Sequence, residues 1–168
     1  PSIGYTLVEK RSKLRPEFEG FPQDKLREIA DRGEQLTRTL EIPLITYIGD
    51  TLPGPHLLRP EVLNSKIIVT ECTFFEPDHR EKAKIGKHLH IEDIAEWLRV
   101  AQCETMVITH ISRRTQMQFV IKRLREVLGR EQANRIRVLM DYKTNKLVYE
   151  QQSLEAEKRE RELAARSG

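Results

Sequence analysis

The chain has 168 residues, 38% of them apolar, which suits one domain or a large piece of one and is enough to bury a core. Its 29 Lys plus Arg nearly balance 26 Asp plus Glu; a net charge of +3 and a pI near 9.0 permit an anionic partner without demanding one. No apolar run is long enough to span a bilayer and no secretory signal is visible, so a membrane is excluded as a partner.

Taken in chain order, GYTLV (4–8) reads as a strand that runs into a basic, polar segment, EKRSKLRPEFEGFP, expected to be a loop or an arm. Asp24 is placed to cap a short helix through Ile29, with Gly33 to help end it. Four apolar runs of strand length follow: PLITYI (43–48), KIIVT (66–70), TMVIT (105–109) and RIRVLM (135–140). Between them lie helical patterns. Pro77 suits a helix start and Gly86 its close. Ile91, Ile94, Ala95, Leu98 and Ala101 share one helix face. Met117, Val120, Ile121, Leu124 and Val127 share another, with Gly129 as the stop. KLVYE (146–150) reads as a last short strand, and the charged run from Gln151 onward as a helical or frayed tail. Alternating strands and helices make this an α/β protein. Cys72 and Cys103, far apart in sequence, read as buried thiols in a reducing compartment, which places the chain in the cytoplasm.

The four apolar runs end alike, on Asp50, Glu71, His110 and Asp141. The C-terminal edge of an α/β sheet is where ligands collect, and these side-chain types ligate Zn²⁺ or Mn²⁺ or move protons. A lone acid after a strand more often just begins a turn; four in one small domain point to a site. The segment between Glu71 and His110 adds His79, His88 and His90. On an extended strand, the pair His88-Leu89-His90 would put both imidazoles on one side. At that place Glu92 or Asp93 can also serve as the acid of a helix N-terminus.

GYTLVEKR, YIGDT, ECTFF, GKHLHIEDI and THISRR occur in the order and rough spacing of the C-terminal half of ribonuclease Z. The chain resembles that family over about residues 3–142. The resemblance implies a mixed sheet flanked by helices, half of a metallo-β-lactamase αββα sandwich. Residues 1–150 would form that half and 151–168 the tail. It further implies a metal-dependent hydrolase that trims the 3′ ends of transfer-RNA precursors with two divalent ions, Zn²⁺ or Mn²⁺, in a homodimer. Asp50 matches the bridging carboxylate and His110 a terminal imidazole ligand. Glu71 and His88 match the acid and the histidine that protonates the leaving oxygen. His90 competes with His88 for that role, because Gly-Lys-His-Leu-His stands where the family has Gly-His-Ser-Thr. Ser112 and Arg114 match phosphate-contacting positions, while Arg113 and Thr115 depart from the pattern.

The family's upstream His-x-His-x-Asp-His motif does not occur here, and His56, lying after Asp50, cannot replace it. The expectation is therefore a half-domain, opening on Pro1 rather than a methionine, that needs an N-terminal half to complete its metal site and is inactive alone. Lys10, Arg11, Lys13 and Arg15, with the Arg113–Arg114 pair, can track RNA phosphates, though they equally fit a solvated surface. Two other functions stay open: a hydrolase of the same fold acting on a small ester or cyclic nucleotide, and a non-catalytic RNA- or protein-binding module.

Overall fold

A computed structural model describes residues 2–112 and 114–166. Among them, five strands form one sheet in the order β1-β2-β3-β4-β5, which is also the order along the chain. The strands are β1 (Tyr5–Leu14), β2 (Thr37–Tyr47), β3 (Ile67–Glu71), β4 (Thr105–Thr109) and β5 (Ile136–Val138). The first pair is antiparallel and the remaining pairs are parallel. Six helices connect or follow them: α1 (Gln23–Asp31), α2 (Pro60–Leu63), α3 (Arg80–Gly86), α4 (Ile91–Leu98), α5 (Met117–Asn134) and α6 (Tyr142–Arg166). The α/β class and the mixed sheet flanked by helices are borne out, as expected for a metallo-β-lactamase-like layer.

Period-two alternation divides the sheet into two unlike faces. Ile68, Met106, Ile108, Ile136 and Val138 are buried against Ile94 and Leu98 of α4 and Val120 and Leu124 of α5. Each such side chain contributes roughly 1.5–3 kcal/mol on burial. The opposite face carries Tyr5, Leu7, Ile45 and Tyr47, between 38% and 67% exposed, beside half-buried Ile67, Val69 and Val107. In register, Leu7 faces Ile45 and Ile45 faces Ile67; Tyr47 faces Val69 and Val69 faces Val107. A continuous apolar face is thus left uncovered.

The basic segment after GYTLV is an arm in its first part, strand to Leu14, and a turn-rich connection from Arg15 to Pro22. β1 continues to Leu14 and pairs with β2 down to Thr37, so residues 5–47 make a long two-stranded arm closed by α1. A bulge between Leu7 and Val8 falls opposite Pro43, which cannot donate to the ladder. The arm's outer strands lacked an apolar alternation because most of their side chains stand in solvent. α5 runs as expected to a break at Gly129 (φ 74°, ψ 166°) and then resumes for a short stretch. β5 ends at Val138, short of Met140. KLVYE is helical rather than extended: α6 passes through it without a break, held by pairs such as Lys146–Glu150 at 3.8 Å. No described helix is long and apolar enough to cross a membrane.

Candidate active site

Parallel pairing sets the C-terminal ends of β2, β3 and β4 side by side. Tyr47 is level with Val69, and Glu71 with Thr109. The residues just past those ends therefore share one rim, which brings Asp50 and His110 together. His110 Nδ1 stands 3.6 Å from Asp50 Oδ1, and both side chains are about half exposed. His88 arrives from the α3–α4 connection, its ring centroid 5.1 Å from that of His110. Asp50, His88 and His110 each offer one ligand atom, and these atoms all lie within 4.8 Å of one another. One carboxylate and two imidazoles make a donor set suited to a divalent cation with open positions.

The backbone is under strain where it delivers these histidines. Lys87 (φ 60°) and His110 (φ 59°) are, among the described residues, the non-glycine positions with positive φ. One lies immediately before His88 and the other is itself in the cluster. Such conformations concentrate at sites whose surroundings hold a side chain in a chosen direction. Gly86 helps for a different reason: a Cβ there would meet His88 Cδ2 at 3.2 Å, so its bare backbone leaves room for the ring.

Glu71, 1% exposed, lies behind the cluster. Its Oε1 accepts the Leu89 N–H at 2.5 Å, and its Oε2 accepts the Thr73 hydroxyl at 2.9 Å. Burial raises its pKa above the usual carboxylate range, opposed by those two hydrogen bonds and by His88. His88 Nδ1 is 3.6 Å from Glu71 Oε1, at ion-pair range but beyond a hydrogen bond, and this buried nitrogen has no hydrogen-bond partner.

Sequence reading did not single out Thr73. Its hydroxyl lies 3.0 Å from His110 Nδ1 as well as 2.9 Å from Glu71 Oε2. Donating to the carboxylate leaves it free to accept an Nδ1–H, the tautomer that would leave the His110 Nε2 lone pair for a ligand. The signal was its place in ECTF, two residues beyond a buried acid. Thr51 was missed too: its hydroxyl meets His56 Nε2 at 2.9 Å, tying the turn after Asp50 to the next helical turn.

His90 departs from the expected pairing. It is fully buried and caps α4: Nδ1 accepts the Glu92 N–H, Nε2 donates to the Glu76 carbonyl at 2.9 Å, and Asp93 accepts the His90 N–H at 2.8 Å. His90 keeps an extended backbone (φ −99°, ψ 155°) and bridges Phe74 before α4 begins, and its ring is fully buried as the cap of α4 while that of His88 joins the cluster. With both ring nitrogens engaged, His90 has no nitrogen left to offer a substrate. His79 is occupied by Glu76 at 3.1 Å. Ser112 Oγ accepts the Arg114 N–H at 3.3 Å, a local turn just past His110 that leaves the Arg114 side chain exposed. Arg113 lies outside the described residues. Asp141, the fourth strand-end acid, sits beyond the Leu139–Met140 turn and is not in the cluster.

Comparison with known proteins gives two relatives and no matching family model. The chain is 30% identical over 122 residues to the chloroplastic tRNase Z TRZ2 of Arabidopsis thaliana, covering 70% of this chain and 34% of that protein. It is 24% identical over 116 residues to tRNase Z TRZ1 of the same plant, covering 67% of this chain and 41% of that protein. The chain thus spans between a third and about two fifths of the length of these curated relatives.

Proposed function

We propose that this chain, ribonuclease Z-like over about 70% of its length, is the C-terminal half of a metal-dependent endoribonuclease that processes the 3′ ends of tRNA precursors. The observation that carries the reading is the cluster of Asp50, His88 and His110, with ligand atoms within 4.8 Å of one another, and Glu71 buried behind it. Two relatives named tRNase Z support the substrate class. The uncovered apolar sheet face supports an N-terminal half that packs there and brings further ligands.

Asp50 and His110 are the metal ligands in this reading, for Zn²⁺ or Mn²⁺. A pair of divalent ions, when bound, supplies an activated hydroxide and polarises the phosphate. Asp50 would hold the ions through its carboxylate and His110 through an imidazole nitrogen. Thr73 orients His110 through Nδ1. His88 gives its proton to the leaving oxygen, and Glu71, 3.6 Å behind it, stabilises the protonated ring. Ser112 and Arg114 contact the substrate phosphate, and the basic arm follows the RNA backbone. The protein works in the cytoplasm, as a homodimer. A second reading for His88 is favoured by its place in the cluster: it is a third ligand rather than the proton donor.

The test sets a tRNA precursor, a cyclic nucleotide and a generic phosphodiester side by side, with Zn²⁺ or Mn²⁺, using the chain together with its N-terminal half. Cleavage of the precursor at its 3′ end, lost in Asp50→Ala and His110→Ala, is the expected result. Normal RNA cleavage by both variants would falsify the reading, and selective hydrolysis of the cyclic nucleotide would replace the substrate. Cation affinity of His88→Gln then separates its two roles: a proton donor's loss leaves affinity unchanged, whereas a ligand's loss lowers it.

A further inference from the structure

Beside the catalytic rim lies a groove that the proposed chemistry does not use. It has a volume of about 990 Å³ and runs between the first half of α5 and the turn after β5. Half-buried Met117 and Ile121 form one side; Met140 and Tyr142, 49% and 74% exposed, form the other. Lys122, Arg125 and Lys143 border it, with Glu126 and Asp141. Glu126 is taken up by Lys122 at 3.6 Å and Arg123 at 2.9 Å. Arg125 and Lys143 have no carboxylate at ion-pair distance among the described residues.

The groove's place matters as much as its lining. β4 and β5 are parallel, with Ile108 level with Val138, and the Leu139 N–H donates to the Ile108 carbonyl at 2.9 Å. The turn carrying Met140 and Tyr142 therefore leaves the sheet one strand, about 4.8 Å, beside the strand that delivers His110. The groove therefore opens beside the sheet edge one strand from β4.

We propose that this groove is a subsite for single-stranded RNA adjoining the scissile phosphate, with a nucleobase stacked on Tyr142 against Met140 and Ile121, and phosphates paired with Arg125 and Lys143. This rests on the ribonuclease reading above. A small apolar floor with an exposed aromatic ring and unengaged cations at its edge matches a base flanked by phosphates. Stacking of this kind accepts any base, which suits a strand of variable sequence.

The experiment measures binding of a short fluorescent single-stranded oligoribonucleotide to the chain together with its N-terminal half by anisotropy, across a range of salt concentrations. Tyr142→Ala is expected to weaken binding about ten-fold or more, with Tyr142→Phe close to the parent. Arg125→Ala and Lys143→Ala should each flatten the dependence of log K on log salt by about 0.7. Unchanged affinity in Tyr142→Ala, or equal losses in the Phe and Ala variants, overturns the subsite. Self-association that vanishes in Tyr142→Ala while RNA affinity stays would give the groove to a second copy of the chain and overturn it as well. His110→Ala keeps the two hypotheses apart. If that variant loses cleavage while Tyr142→Ala binds normally, only the groove fails; if the parent chain binds no oligonucleotide, the groove fails together with the RNA reading.

Discussion

Along the arm, Lys10 meets Glu41 at 3.1 Å and Arg11 meets Glu9 at 2.8 Å, each pair standing largely in solvent on a two-stranded ribbon. At the rim, Glu71 is 1% exposed, and its two oxygens answer a backbone N–H and a hydroxyl. Both regions are rich in ionisable groups, yet a charge means different things in each. In the arm, water can replace any lost partner, so an exposed pair adds little to stability. At the rim, a lost partner leaves a buried group stranded. Charge density along the sequence therefore does not lead to the pairing of Asp50 with His110, whereas the ends of buried parallel strands do.

The contrast is broken most directly by comparing His88→Ala with a triple arm variant, Lys10→Ala, Lys13→Ala and Arg15→Ala. Removing His88 should lower single-turnover cleavage of a tRNA precursor by about 10²–10⁴-fold, the usual contribution of a general acid, with little change in RNA affinity. The arm variant should do the reverse, leaving the cleavage rate of bound RNA intact while flattening the salt dependence of binding. Equal effects of both sets on affinity and none on rate would erase the distinction between the regions.

Glu71 sharpens the rim side. Glu71→Ala strands the buried Leu89 N–H, at a cost of about 1–3 kcal/mol, while the Thr73 hydroxyl still has the His110 carbonyl within 3.2 Å. Glu71→Gln keeps an acceptor for Leu89 but loses the charge behind His88. Urea denaturation should show a large loss for the first and a smaller one for the second, with cleavage impaired in both. A Gln variant that cleaves like the parent would mean that the carboxylate's charge does not act on His88.

His90 carries the same comparison into two neighbouring histidines. His90→Ala vacates a buried ring and removes the cap of α4, for a loss of about 2 kcal/mol, and His90→Asn should recover much of it by capping. Neither change should alter the cleavage rate of the folded protein. A rate defect in His90→Asn at full stability would return His90 to the chemistry.

The sequence made the rim legible because strand periodicity announces both where a buried run ends and which side chain stands at its end. Asp50, Glu71 and His110 came together for that reason. Asp141 did not: it follows β5, the edge strand, and three residues past a strand end, the same offset as Asp50, it is not among the clustered side chains. His88 and His90 could not be told apart, since their separation depends on where α4 begins, and the cap is a histidine rather than the usual Ser, Thr, Asp or Asn. The arm's strand pairing was hidden because a ribbon wetted on both faces has no apolar alternation to read. KLVYE misled in the opposite sense: β-favouring residues sit inside a helix whose local pairs and whose exposed flank make propensity a weak vote.

The smallest effect concerns Lys87, whose backbone is left-handed one residue before His88. That conformation costs an L-residue about 1–2 kcal/mol, which glycine escapes while giving back roughly 0.5–1 kcal/mol of chain entropy. Lys87→Gly should therefore raise stability by up to about 1 kcal/mol, read as a small upward shift of the melting temperature. His110 is strained in the same sense, but no such relief exists there, because glycine would remove the imidazole. Cleavage is the informative second measurement. If Lys87→Gly stabilises the protein and cleaves RNA as before, the rim needs only the turn that position 87 makes. If stability rises while RNA affinity falls, the lysine ammonium itself meets the substrate, and the boundary between solvated charge and working charge moves one residue closer to His88.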